Sequence, residues 1–409
     1  MGLIYRATFW IKVALVVYVG LGAARCRRDP VVNPSDTDNE GGETNAGNEA
    51  LAQAKRPGPC PGKRDKSPYD FAFAVTGDSR GRPGGVYPFA LRRVLDHVLE
   101  KGETTLVFFT GDMVQGGTKA PRLAKQLEVW KDIVAPYRNK GIEFLVTSGN
   151  HEIDDGTMFE QEPDRFGKPT RGALANQKVL LEAFPDLPRN GPEGGGLTYW
   201  VRKNEILFVV LDGYRPGKFN SVDSLWLGKV LSGPAAEPPP RRIFVVTHAP
   251  AFPGGGHTSD SLSNYNLDRQ AVLAMGGAIW PWQPGSGGPR DVDVDFRKKR
   301  DDLWNVLTEH HVTALLVGHE HNLSAQRIDG VWQITSGALT SRLYPANTIP
   351  LEMYDGKPQN PKAGDTFWHG GDKLWGYVLV GIKGEIAEAR FYGWTEGHEP
   401  IRLVKKIEL

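Results

Sequence analysis

Five widely spaced segments of this chain each end an apolar run with side chains that bind metals. They run from Phe71 to Asp78, from Leu106 to Asp112, from Phe144 to Asn150-His151-Glu152, from Ile243 to His248, and from Ala314 to His319-Glu320-His321. Imidazole mixed with carboxylate and amide oxygen suits Zn, Fe or Mn rather than Ca, and the donor list does not choose among the three. Gathered at one place, these donors would furnish a two-metal hydrolytic site, in which a carboxylate bridges a pair of cations. Each residue alone has a blander reading: an Asp or Asn after Gly is commonly a turn, and a lone buried His is commonly hydrogen-bonded core. The metal reading rests on all five occurring in order, each at the end of an apolar run.

Such runs, four to eight residues long and closed by glycine, read as strands buried on both faces, and side chains just past them collect at one edge of a sheet. Helical spacing of apolar positions over Phe89 to Leu99 and over Leu123 to Tyr137 separates the first three strands. This alternation predicts parallel crossovers, with the donors converging beyond the carboxyl ends of the strands. Leu197 to Val201 and Ile206 to Asp212 read as a hairpin turning at Lys203-Asn204, and Ser224 to Leu231 as a helix. Gly330 to Thr335, Gly376 to Gly381 and Ile386 to Tyr392 read as antiparallel strands, the last two joined at Lys383-Gly384. The expected fold is α/β (α+β): two mixed β-sheets packed as a sandwich and flanked by helices. Three long stretches, 155–170, the Gly-, Pro- and Trp-rich 254–297, and 343–372, are where substrate selectivity is expected to reside.

The order Asp, Asp, Asn-His, His, His-x-His resembles the calcineurin-like metallophosphoesterase family and its purple-acid-phosphatase-like members, and Asp212 with Trp226-Leu227 extends the similarity beyond the donors. The resemblance implies a metal-dependent phosphohydrolase that cleaves a phosphate mono- or diester by attack of a metal-bound hydroxide. It implies Asp78, Asp112 and His321 on one metal, Asp112, Asn150, His248 and His319 on a second, and Asp112 as the bridge. It also implies that His151 stabilises the transition state or protonates the leaving oxygen, and Glu152 could orient that imidazole. The implied cofactors are two divalent or trivalent ions, Mn, Fe or Zn, and the implied partner is a phosphate-ester substrate.

Two positions depart from the family pattern. Where Asp-x-His is expected the chain has Asp78-Ser79-Arg80, and a guanidinium, always protonated, has no lone pair to give a metal. Either water fills the vacancy, or the first metal binds weakly, or the second works alone, with Arg80 pointing at the substrate phosphate or forming a structural ion pair. Gln115 stands where Gly-Asp-x-x-Asp places a supporting carboxylate. These departures motivate an alternative reading, a tethered binding protein that keeps the fold without turnover. A zinc peptidase lacks support, because the sequence has no His-Glu-x-x-His motif.

With 49 basic against 48 acidic residues in 409, the chain lacks the cationic surplus of nucleic-acid binders, and no nucleic-acid partner is expected. Arg6 and Lys12 precede an apolar stretch from Val13 to Ala24, of signal-peptide rather than membrane-spanning length. Gly22-Ala-Ala24 offers small residues for cleavage, and Cys26 would suit lipidation, although Arg25 departs from the small residue a lipobox places there. Arg25, Arg27 and Arg28 would equally hold an uncleaved anchor. Residues 1–26 are therefore read as a signal peptide or N-terminal anchor, 27–66 as a disordered polar tether, and 67–409 as the catalytic domain. The expectation is export to the periplasm or exterior, with a membrane tether open; nothing in these motifs speaks to oligomeric state. Both cysteines, Cys26 and Cys60, fall outside the catalytic region, leaving nitrogen and oxygen as its metal donors.

Overall fold

A computed structural model describes residues 67–409 except 83, 157–168, 219, 254–293, 345–366, 371–373 and 396–398. All the described residues lie within one compact unit, residues 57–409. The leader and tether read over 1–66 lie outside the described residues, as does most of the three long stretches.

Strand β1 (Phe71–Thr76) is followed by a short ribbon of β2 (Arg80–Gly81) and β3 (Gly85–Val86). Helix α1 (Pro88–Lys101) starts on a proline, whose fixed φ suits a first turn, and stops at Gly102 in the left-handed conformation, φ 61°. Then come β4 (Leu106–Phe109), α2 (Ala120–Asn139), β5 (Glu143–Val146) and the single turn α3 (Asn150–Ile153). β1, β4 and β5 pair in parallel, as the strand-helix alternation predicts. After α4 (Arg171–Ala183), the expected hairpin is β6 (Tyr199–Lys203) and β7 (Ile206–Val210), turning at Asn204 with φ 52°. Helix α5 (Ser224–Ser232), β8 (Arg242–Val246), α6 (Val294–Glu309), β9 (Ala314–Val317), β10 (Leu323–Ile328) and β11 (Val331–Ser336) follow. β12 (Phe367–His369), β13 (Trp375–Lys383), β14 (Ile386–Trp394) and β15 (Arg402–Glu408) complete the described elements.

The strands form a six-stranded sheet, β15-β14-β13-β1-β4-β5, and a seven-stranded sheet, β12-β10-β11-β9-β8-β7-β6, both mixed. Of the three C-terminal strands, β13 and β14 pair antiparallel across the Lys383-Gly384 turn as expected, but β11 does not join them. β11 lies in the second sheet, antiparallel to β10 and parallel to β9, whereas β13 joins the first sheet antiparallel to β1, with β14 beside it. The sandwich core is aromatic. Phe208 of β7 lies 4.9 Å from Phe73 and 4.6 Å from Phe108, ring centre to ring centre, and so joins the two sheets. Because neighbours on a strand face opposite ways, Phe109 turns from that core to Trp130 of α2, at 5.3 Å. A six- and a seven-stranded sheet clad in helices thus hold the carboxyl ends of β1, β4, β5, β8 and β9 rigidly in place. Among the described residues no helix is long and apolar enough to cross a membrane.

Candidate metal centre

Each expected donor sits just past one of those five strands. Asp78 follows β1, Asp112 follows β4, Asn150 opens α3 after β5, His248 follows β8, and His319 and His321 follow β9. All are buried. Four of the six hold left-handed backbone: Asp78 at φ 59°, Asp112 at 51°, His319 at 70° and His321 at 50°. Non-glycine residues rarely adopt this conformation, and where it occurs it clusters at functional sites. The approach is also crowded: a Cβ on Gly149 would run into the Asp112 carboxylate, and one on Gly318 would meet Asp78 Oδ2 at 2.5 Å.

The donors form two neighbouring groups. In one, His248 Nε2 lies 3.3 Å from Asn150 Oδ1, 3.1 Å from His319 Nδ1 and 3.5 Å from Asp112 Oδ1. Ligands about 2.1 Å from a shared ion stand roughly 3.0–3.5 Å apart, so this spacing fits one metal. His248 Nδ1 faces the Thr110 carbonyl at 2.6 Å and donates its proton there, which leaves the Nε2 lone pair for the group. Burial holds the His248 pKa down to about 3, keeping the ring neutral and able to ligate. In the other group, Asp78 Oδ1 is 3.6 Å from His321 Nε2. Asp78 Oδ2 accepts from the His319 N–H at 3.0 Å, whereas Oδ1 is buried without a hydrogen bond. Ligand atoms of Asp78, Asp112 and His248 lie within 4.8 Å of one another.

Burial, and then the neighbouring Asp112, push the Asp78 carboxyl well above the usual carboxylate range. Burial pushes Asp112 up as well, but His151, His248 and Arg80 outweigh it and hold that carboxyl at about 2. Two buried carboxylates that cannot easily share one charge state are the arrangement that a bound cation relieves.

Arg80 reaches across the second group, with Nη2 2.9 Å from His321 Nε2 and Nε 3.2 Å from Asp112 Oδ2. His151 donates its backbone N–H to Asp112 Oδ1 at 3.1 Å, and its Nε2 lies 3.9 Å from Asp112 Oδ2. Arg80 and His151, with side chains 16 % and 18 % exposed, are reached from solvent, whereas the Asp112 side chain they share is at 1 %.

Glu152 does not orient His151 as expected. Its carboxylate accepts from three backbone N–H groups, those of Asp112 at 3.0 Å, Val114 at 3.0 Å and Gly149 at 2.8 Å, and so splices the β4 and β5 loops together. Burial, reinforced by Asp112, raises its pKa to about 8 despite these donors. The His151 ring is instead placed by the Gln115 backbone carbonyl, 2.5 Å from Nδ1. Three supporting residues went unread in their site roles. Tyr344 stacks on His321 at 4.9 Å and 12°. Tyr214 lies edge-on to His248 at 5.4 Å. Asp212, singled out only by resemblance, accepts from the Ser148 hydroxyl and from the Leu197 and Tyr214 N–H groups, tying the Asn150 loop to the second sheet.

A layered sandwich with Asp, Asn and His donors at its strand ends defines a metallophosphoesterase-like protein. The calcineurin-like phosphoesterase family model matches residues 71–323, and the chain belongs to that family. No curated protein matches the sequence. Among solved structures, a purple acid phosphatase from yellow lupin (Lupinus luteus) is 12% identical with a TM-score of 0.50, over 82% of this chain and 53% of that one. This chain therefore spans about half the length of the plant enzyme, and the likeness is one of fold. A dimetal phosphatase from Danio rerio (12% identity, TM-score 0.48, 83% and 98% of the chains) is also similar. So is GAP50, the anchor in the inner membrane complex of Plasmodium (13%, TM-score 0.46, 83% and 88%).

Proposed function

We propose that this protein is a metal-dependent phosphohydrolase acting on a phosphate mono- or diester. The observation that carries this reading is the convergence of Asp112, Asn150, His248 and His319 donor atoms at ligand-like spacing, with the partly buried Arg80 and His151 beside them. A divalent or trivalent ion such as Mn, Fe or Zn, held by those four residues, would offset phosphoryl charge and acidify a water. The chain's own groups do the remainder. Arg80 keeps N–H groups beyond those facing Asp112 and His321, and a planar guanidinium at 16 % exposure can donate to phosphoryl oxygens. His151, its Nδ1 fixed on the Gln115 carbonyl and its Nε2 3.9 Å from Asp112 Oδ2, delivers a proton from Nε2 to the leaving oxygen. Neither Ser, Thr nor Cys is needed as a nucleophile.

The leader and polar tether read over residues 1–66 support placing this activity outside the cytoplasm. The test is hydrolysis of p-nitrophenyl phosphate and bis-p-nitrophenyl phosphate by the purified protein with Mn, Zn or Fe added and after chelation. Turnover that chelation abolishes supports the reading. The absence of turnover with every metal would favour the alternative, a binding protein on the same fold, which the contacts of Arg80 with Asp112 and His321 motivate.

A further inference from the structure

Arg80 stands on β2 with its guanidinium between two groups that the resemblance gives to a first metal, His321 Nε2 at 2.9 Å and Asp112 Oδ2 at 3.2 Å. Arginine has donors only and remains protonated, so His321 Nε2 is the accepting nitrogen of that contact. The lone pair that an ion would take from His321 is engaged by an N–H. The Asp112 oxygen facing the same side is neutralised by the same cation. An ion about 2.1 Å from His321 Nε2 would lie within roughly 5 Å of Nη2 in any direction, placing two cations side by side in a buried pocket. Asp112 Oδ1 faces the other way, 3.5 Å from His248 Nε2, where Asn150 and His319 also converge.

We propose that the protein binds one metal ion per chain, at Asp112, Asn150, His248 and His319, and that the Arg80 guanidinium occupies the place of a second ion as a built-in cation. This rests on the metal-dependent reading above. Asp112 remains a bridge, but between a metal and an arginine. Asp78, whose ligand atom is within 4.8 Å of those of Asp112 and His248, adds the second carboxylate that balances the two cations. The second cation then cannot be exchanged or chelated away.

The experiment is metal stoichiometry of the full chain loaded with excess Mn(II), by elemental analysis and by electron paramagnetic resonance, for the wild type and for Arg80→His and Arg80→Lys. The expected result is one equivalent with an isolated-ion spectrum for the wild type and for Arg80→Lys, which keeps the cation. Arg80→His, which removes the cation and supplies an imidazole, is expected to take two equivalents with a spin-coupled signal. Circular dichroism checks that each variant is folded. Two equivalents in the wild type would overturn the inference while leaving the phosphohydrolase reading intact. One equivalent in Arg80→His would show that Arg80 is not what excludes the second ion, and would overturn it too. No metal in any form would remove the metal-dependent reading and this inference together.

Discussion

Replacing Glu152 with Ala tests whether this residue is a structural splice or a partner of His151. The carboxylate is fully buried and accepts the N–H groups of Asp112, Val114 and Gly149 at 2.8–3.0 Å. A buried donor that loses its acceptor costs about 1–3 kcal/mol, so three orphaned donors cost at least ~3 kcal/mol, the lower end applying if water enters the gap. Against a whole-domain stability of about 5–15 kcal/mol that is a large fraction. With a urea slope of about 3 kcal/mol/M, the unfolding midpoint should fall by about 1 M. Because two of the three donors flank the bridging and amide ligands, metal affinity should weaken by roughly 10–100-fold as their loops loosen. Glu152→Gln keeps one carbonyl oxygen, enough for the Asp112 and Gly149 donors on Oε2, and should recover about two thirds of the lost stability. Urea titration followed by fluorescence and metal titration by calorimetry read the two effects. A Glu152→Ala midpoint unchanged from wild type, with turnover alone reduced, would refute the splice and restore the orienting role.

His151→Ala should lower turnover by roughly 10²–10⁴-fold with metal content unchanged; elemental analysis beside the p-nitrophenyl phosphate assay checks both, and an unaltered rate would remove His151 from the chemistry. Phe208→Ala deletes the ring that touches Phe73 and Phe108 across the sandwich, and should cost about 3–5 kcal/mol in urea unfolding. His97 is pushed below its ordinary 6.5 by burial and by Lys101, so the unfolded chain binds more protons than the folded one below that value. Its contribution to stability is complete above 6.5 and is lost as pH falls through and below it; comparing the wild type with His97→Phe at about pH 7 and about pH 5.5 should show a shallower pH dependence in the variant.

The apolar runs from Phe71 and Leu106 were legible as strands because burial on both faces leaves no polar alternation to confuse with a surface element. The donors were legible because each ends such a run, so their convergence follows from the sheet. What was not legible was which sheet received β11 and which β13. Both are buried on both faces along nearly their whole length, so no alternation marks a side, and pairing is decided by a neighbour, β9, for one and by β1, about 300 residues earlier, for the other. Glu152 was misread because adjacency in sequence was taken for contact. On a helical turn consecutive residues point about 100° apart, so Glu152 beside His151 faces the Asp112 loop instead. Arg80 was recognised as a departure, but its reach to both Asp112 and His321 depended on the β2–β3 ribbon, a pair of two-residue strands with no periodicity to announce them.

The left-handed backbone at Asp78, Asp112, His319 and His321 bears on how such a site can change over generations of mutation. At these places the main chain screens a replacement before chemistry does: glycine, asparagine, aspartate and histidine pass, while β-branched or bulky side chains are refused for their conformation alone. Arg80, which stands where the family pattern places a histidine ligand, sits on strand backbone where no such screen operates. Drift in the metal complement of this scaffold is therefore channelled. The ligands held in left-handed turns are fixed together with the fold, and the strand position beside them is the one where a new residue can enter and turn a two-cation machine into a hybrid of metal and protein charge.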